Sequence, residues 1–287
     1  MSSDPFVMPL PGAIRQHAGN PWLRPKTLLP AAFVLLLILA VIAPHAFAAF
    51  TPDDMDMNAV LARPSLAHWF GTDSLGRDLY SRVIYGSVLS LSIGLGATAV
   101  ACGGGIILGL LCALAPPTIR SVLVRLLDVL LAFPELLLAL LVIAVLGRGP
   151  TNTLLAVGLS GIGSYARLLR SQVLQVKISG YVEHAVALGE SPTHIILRHI
   201  LPNSLRPLLI LATLGLGQSV LTSSSLSFLG LGVVPPTAEW GALLADGRDY
   251  LDIAPWISLL PASVVALSVI SITLLGRRLQ TILATGI

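Results

Sequence analysis

Apolar runs of membrane-spanning length constrain this chain more than any other feature. A helix needs about 20 mostly apolar residues to cross roughly 30 Å of hydrocarbon. Six such runs occur, at about 28–50, 84–115, 122–146, 151–169, 205–231 and 253–275. The fourth is the shortest and carries Gly158, Gly161 and Gly163. Turn chemistry separates several of the runs: Pro116-Pro117, Gly147-Arg148-Gly149-Pro150, Pro202-Asn203 and Pro235-Pro236. Charged residues make up only 11% of the 287, less than half the roughly 25% of a soluble domain. That is too few to solvate a globule of this size. A soluble enzyme, a disordered chain and a nucleic-acid-binding domain are poor readings, and lipid is the expected surrounding. The expected fold class is an all-α polytopic membrane protein with six transmembrane helices.

The first run has Arg24 and Lys26 before it and Ala46-Phe47-Ala48 near its end, as a signal peptide would. The long polar lead and near-full span length favour a retained helix. Orientation follows from Lys and Arg, which are enriched on the cytoplasmic side. With the N-terminus inside, 12 of the 17 basic residues fall on the cytoplasmic side and 5 outside. Both ends are therefore expected in the cytoplasm. Residues 1–27 read as a cytoplasmic segment and 28–287 as one transmembrane domain. Its polar excursions are an external loop at about 51–82, a cytoplasmic loop at about 170–206 and an external loop at about 232–252.

The cytoplasmic loop holds Glu183, Ala185 and Ala187 in a helical stretch, then Gly189 and Ser191-Pro192. Glycine suits a left-handed C-cap and proline the first position of the next helix. The pattern reads as helix, tight turn, helix along the membrane face. An ordinary interfacial hairpin would look the same.

In the fifth run, Thr213, Gln218, Thr222 and Ser225 form a polar stripe at separations of 5, 4 and 3. Such a stripe either lines a wet pathway or bonds to a neighbouring helix. Asp128 and Glu135 lie seven apart in the third run, nearly on one face of a continuous helix. Acids at membrane depth are costly unless paired or hydrated. Asp128 is expected to pair with Arg125 or Arg120, and Glu135 to meet water or a partner. Glycines at 94–109 and 158–163 suit close helix approach.

Three histidines, His184, His194 and His199, share the cytoplasmic loop. His194 and His199 are five apart and should diverge around a helix, so no metal site is expected. Cys102 and Cys112 add no metal framework. No glycine-rich loop ending in Lys-Ser/Thr occurs, and Lys26 and Lys177 are the only lysines. This chain therefore lacks the phosphate cradle of a nucleotide hydrolase, and no other catalytic set is visible.

Glu183-x-Ala185-x-x-x-Gly189, with Leu201-Pro202 thirteen residues after the glycine, resembles the "EAA" loop of ABC-transporter permeases. Arg198-His-Ile-Leu-Pro-Asn203 resembles the dipeptide/oligopeptide/nickel branch. Further segments resemble that branch: Phe70-Gly-Thr-Asp73-Ser-Leu-Gly76-Arg77-Asp78-Leu-Tyr-Ser81-Arg82, Leu131-Ala-Phe-Pro134, Ser227-Phe-Leu-Gly-Leu-Gly232, Pro235-Pro-Thr-Ala-Glu239-Trp240-Gly241 and Ala254-Pro-Trp256. His184 and Gly276-Arg277 depart from the pattern. The resemblance covers about residues 68–276.

It implies the permease of a type I ABC importer in a bacterial inner membrane, carrying peptides or a related small solute. Implied partners are a homologous second permease, two ATPase subunits that bind ATP and Mg, and an external solute-binding protein. No cofactor is expected on this chain. The implied ATPase-coupling residues are Glu183, Ala185, Gly189, Ser191 and Pro192. Candidate pathway residues are Thr213, Gln218, Thr222, Ser225 and Glu135. Asp73, Arg77, Asp78, Glu239 and Trp240 are expected at the outer mouth near a docked binding protein, or as braces of the loops. An ion-coupled secondary transporter with Asp128 and Glu135 as relay is the alternative.

Overall fold

The structure is a computed structural model that describes residues 25–285. The expectation for the N-terminal segment therefore lies almost wholly outside the described residues. The described elements are helices: α1 (Pro25–Ile42), α2 (Pro44–Phe47), α3 (Leu79–Leu114), α4 (Pro117–Ala132), α5 (Glu135–Leu146), α6 (Pro150–Lys177), α7 (Gly180–Ala187), α8 (Pro192–Ile195), α9 (Leu201–Phe228), α10 (Trp240–Arg248) and α11 (Trp256–Thr285). A π-helical turn, Ile196–Ile200, joins α8 to α9.

Among the described residues, α3, the rod formed by residues 192–228, and α11 are each long and apolar enough to cross a membrane. The pair α4 and α5 meets that test only jointly, with a 97° bend between them. α1 contributes a shorter apolar stretch, Thr27–Ile42. α6 is long enough at 28 residues, but Asn152, Tyr165, Arg167 and Arg170 dilute its apolar character. Its place in the fold accounts for this. α6 packs against α3, α5, α9 and α4, so protein rather than lipid covers much of it.

Proline sets several boundaries that the apolar runs hide. The first run breaks at Ala43-Pro44, so α1 ends at Ile42. The third breaks at Phe133-Pro134, where Phe133 is extended (φ −85°, ψ 135°). A residue before proline is pushed out of the α region. Asp128 and Glu135 consequently sit on two helices at a steep angle, not on one face. Pro202 was expected to mark a break, yet it lies in the first turn of α9. Proline has no N–H and crowds the carbonyl four residues back. The π-turn ends just before that proline and loosens the backbone there. The second helix of the hairpin at 170–206 therefore continues into α9, and α6 extends to Lys177. The loop proper shortens to residues 178–191.

Close approach of α3 and α6 needs small residues on both. A Cβ on Gly158 would stand 2.7 Å from Val100 Cβ, and one on Gly109 would stand 2.8 Å from the Ala166 carbonyl oxygen. The core continues from the bundle into the loop: Val182 and Ala185 of α7 pack with Leu169, Val173, Ile195 and Leu208.

Candidate functional site

The turn at residues 178–191 forms as its residue types dictate. Ser179 opens α7 and Leu188 closes it. Gly189 takes φ +79°. Its N–H donates to the Val186 carbonyl at 3.0 Å, and the Glu190 N–H to the Ala185 carbonyl at 3.1 Å. This is the Schellman pattern, in which a residue with positive φ satisfies the last helical carbonyls. Ser191 then caps α8, its hydroxyl accepting from the His194 N–H at 3.3 Å, with Pro192 in the first turn. Glu183 is exposed in the first turn of α7. Ala185 is only 5% exposed and faces the bundle. It is not part of a smooth outer side with Gly189. The outer side is apolar instead, with Tyr181, Val186 and Leu188 exposed, the last at 82%.

The same turn corrects the reading of the histidines. His194 and His199 do not diverge: their ring centroids are 6.3 Å apart, and both Nε2 atoms approach one oxygen of Glu190. Residues five apart on an α-helix lie about 140° from one another. The π-turn between them adds a residue to the turn and brings them onto one side. The spacing of Glu190 and His194, four apart, is a ligand signal that sequence reasoning overlooked.

Between α3, α5, α6 and α9 lies a cavity of about 300 Å³. Its polar lining is Glu135, Ser164, Tyr165, Gln218 and Ser219. Pro134 ends the preceding segment and places Glu135 at the N-terminus of α5. The Glu135 carboxylate reaches to 3.8 Å from where a Cβ on Gly161 would stand. The Tyr165 hydroxyl is buried and has no hydrogen-bond partner among the described residues. Sequence reasoning missed Tyr165. It lies four after Gly161 and seven after Gly158, on the small-residue face of α6.

Of the five proposed pathway residues, only Gln218 and Glu135 reach this cavity. Thr213 is about 140° around the helix from Gln218; its hydroxyl donates to the Ile210 carbonyl, and it packs where a Cβ on Gly276 of α11 would stand. Thr222 is 5% exposed and accepts from the Gln218 amide at 3.4 Å. Ser225 faces a different groove, with Phe228 and Arg248. Asp128 pairs with Arg167 of α6 at 3.2 Å, both exposed, rather than with Arg125 or Arg120. The two acids assemble no relay.

The outer-mouth residues are not the exposed surface expected of them. Asp73, Arg77 and Asp78 are each 4% exposed, and Glu239 and Trp240 are 0%. Asp73 pairs with Arg77 at 2.7 Å and accepts the Leu75 and Arg77 N–H groups. Asp78 caps α3 by accepting from the Ser81 N–H at 2.7 Å and meets His68 at 2.9 Å. Glu239 caps α10, accepting from the Gly241 and Ala242 N–H groups and from the Ser90 hydroxyl of α3 at 3.0 Å. Trp240 donates from its ring N–H to the Val83 carbonyl at 3.0 Å. Arg82, the last residue of the same external motif, is 1% exposed and donates to the Pro52 and Pro236 carbonyls. These groups tie the segments at 51–78 and 232–240 to the N-terminal part of α3. A carboxylate or guanidinium can be buried there because each has a built partner.

Comparison with known proteins agrees with this architecture. The family described as "Binding-protein-dependent transport system inner membrane component" matches residues 105–287. The chain is 38% identical to a probable D,D-dipeptide transport system permease protein of Escherichia coli, over 90% of this chain and 87% of that one. It is 39% identical to a glutathione transport system permease protein of Shigella sonnei, over 96% and 93%. It is 36% identical to a dipeptide transport system permease protein of Alkalihalophilus pseudofirmus, over 96% and 89%. Among solved structures, the inward-facing MetNI methionine ABC transporter superposes with a TM-score of 0.57 at 18% identity, covering 69% of this chain and 94% of that one. An amino acid ABC transporter superposes with a TM-score of 0.55, also at 18% identity, covering 72% and 94%. Those likenesses concern the fold. The chain belongs to the binding-protein-dependent inner membrane components, the multi-pass permease subunits of ABC importers.

Proposed function

We propose that this chain forms one wall of the translocation pathway for small peptide-like solutes. The observation that carries the reading is the cavity between α3, α5, α6 and α9. It holds a carboxylate (Glu135), an unpartnered phenol (Tyr165) and an amide (Gln218) among small and apolar groups. A peptide offers a complementary set: an ammonium for the carboxylate, and carbonyl and N–H groups for the phenol and amide. The named substrates of the relatives, a D,D-dipeptide, glutathione and dipeptides, are of that kind.

Six crossings follow if α1, α3, the bent pair α4–α5, α6, α9 and α11 each span once. The 12-to-5 division of basic residues supports cytoplasmic ends. A homologous second permease supplies the opposite wall. ATP and Mg bind to two separate ATPase subunits. Those subunits meet the exposed face of residues 178–191, where Glu183, Leu188 and Gly189 stand out and Ser191-Pro192 restart the rod. Closure of the ATPases pushes this knob. Because 192–228 is one rod, the push passes along α9 to Gln218 and the cavity. An external solute-binding protein delivers the solute to the outer loops, which Asp73, Arg77, Asp78, Glu239 and Trp240 brace from within.

The test is uptake by the assembled transporter in liposomes. Glu135→Gln should lower uptake of a peptide with a free N-terminus at least about tenfold, equivalent to the roughly 1.4 kcal/mol of one weakened charge contact. N-acetylated peptide should be affected far less. Equal loss for both peptides would remove Glu135 from solute recognition.

A further inference from the structure

Three side chains of the cytoplasmic turn converge on one point. Glu190 Oε2 lies 3.2 Å from His199 Nε2 and 3.7 Å from His194 Nε2. One ligand atom from each of the three residues lies within 4.8 Å of the other two. Donor atoms held about 2.0–2.2 Å from a tetrahedral Zn²⁺ stand about 3.3–3.6 Å from one another. Small side-chain rotations would close the trio to that spacing.

The backbone does the positioning. The Schellman turn at Gly189 throws Glu190 back toward the rod, and the Ser191 cap fixes the start of α8. The π-turn Ile196–Ile200 then brings His199 around to the side of His194. Single π-turns within helices occur frequently at functional sites. Side-chain exposures of 50% for His194, 32% for Glu190 and 27% for His199 leave the point open to solvent. The Tyr181 ring lies beside His199, with 6.3 Å between ring centroids.

We propose that Glu190, His194 and His199 form a Zn²⁺ site with an open fourth position. Two imidazoles and one carboxylate suit Zn²⁺; Ca²⁺ and Mg²⁺ prefer all-oxygen shells, and no thiolate is present to select Cu(I). The site lies on the cytoplasmic loop and is separate from the cavity that contains Glu135. Bound metal ties Glu190, in the turn after α7, to the rod 192–228. The site stands independently of which solute is carried.

The assembled transporter, stripped with a chelator, is titrated with Zn²⁺ against a chromophoric chelator, and Co²⁺ serves as an optical probe of coordination. Expected is one tight site per copy of this chain. His194→Ala, His199→Ala and the isosteric Glu190→Gln should each weaken it at least about 100-fold, since loss of an outer-shell partner alone costs 10–100-fold. His184→Ala, on the exposed side of α7, should leave it unchanged. Only material with an unaltered thermal unfolding midpoint is compared. Because Glu190→Gln keeps the shape and one acceptor oxygen of the side chain but removes its charge, it separates the two readings. Zn²⁺ binding that is absent in the native complex, or equal in Glu190→Gln and native complexes, makes the trio a hydrogen-bonded cluster and overturns the site.

Discussion

Glu239→Ala tests whether the outer motif braces the loops or contacts a docked protein. The carboxylate is fully buried and holds three donors: the Gly241 and Ala242 N–H groups at 3.0 and 2.9 Å and the Ser90 hydroxyl at 3.0 Å. The Ser90 oxygen in turn accepts from the Trp240 N–H at 3.0 Å. Loss of an N-cap costs about 1 kcal/mol, and buried donors left unpaired add about 1–3 kcal/mol. The total is about 3 kcal/mol. For a chain of this size that corresponds to a drop of about 6–12 °C in the unfolding midpoint. Cys112 is fully buried and Cys102 partly so, so a fluorogenic thiol reagent reports unfolding directly. Glu239→Gln keeps an acceptor and should fall roughly half as far. A Glu239→Ala variant that unfolds with the native midpoint yet loses binding-protein-stimulated ATPase activity would refute the bracing argument and restore direct docking.

Gly189→Val should cost about 1–2 kcal/mol from positive φ alone, because nothing lies within 4 Å of a Cβ there. The transporter should assemble and hydrolyse ATP with weakened uptake, and Gly189→Asn should be nearly native. Gly158→Leu places bulk where even a Cβ is 2.7 Å from Val100, and should prevent α3–α6 packing, read as loss of the folded peak in size-exclusion chromatography. Asp246 in α10 has its pKa raised, chiefly by burial, against the lowering influence of Arg82 and Arg77. Its charged form is disfavoured in the folded state, so its destabilising contribution is complete above the raised pKa and fades as pH falls toward the ordinary carboxylate value. Asp246→Asn should therefore raise the unfolding midpoint at neutral pH, with the gain shrinking on acidification.

The helical, membrane-embedded character was legible because spans need long apolar runs. The turn at Gly189 was legible because few residues accept positive φ, and Ser-Pro restarts a helix cheaply. The bend at Pro134 was hidden by an apolar run that continues through it. α6 extends past its apolar run to Lys177, where contacts with other helices replace lipid. The π-turn has no sequence signature beyond Pro202 following it, which is why His194 and His199 were read as diverging. Burial of Asp73 and Glu239 was invisible for a related reason. A charged residue in an external motif reads as surface until the donors from distant segments, Ser90 above all, are placed around it.

Delivery of energy from separate ATPases through residues 178–191 is the step on which the proposed pathway opening rests. It is tested most directly by solute uptake into liposomes holding this chain, its second permease and the ATPases, with binding protein outside. Peptide should accumulate only when ATP and all partners are present, and uptake should weaken when Gly189→Val disturbs the loop. Accumulation driven by a proton or sodium gradient with this chain alone would contradict it.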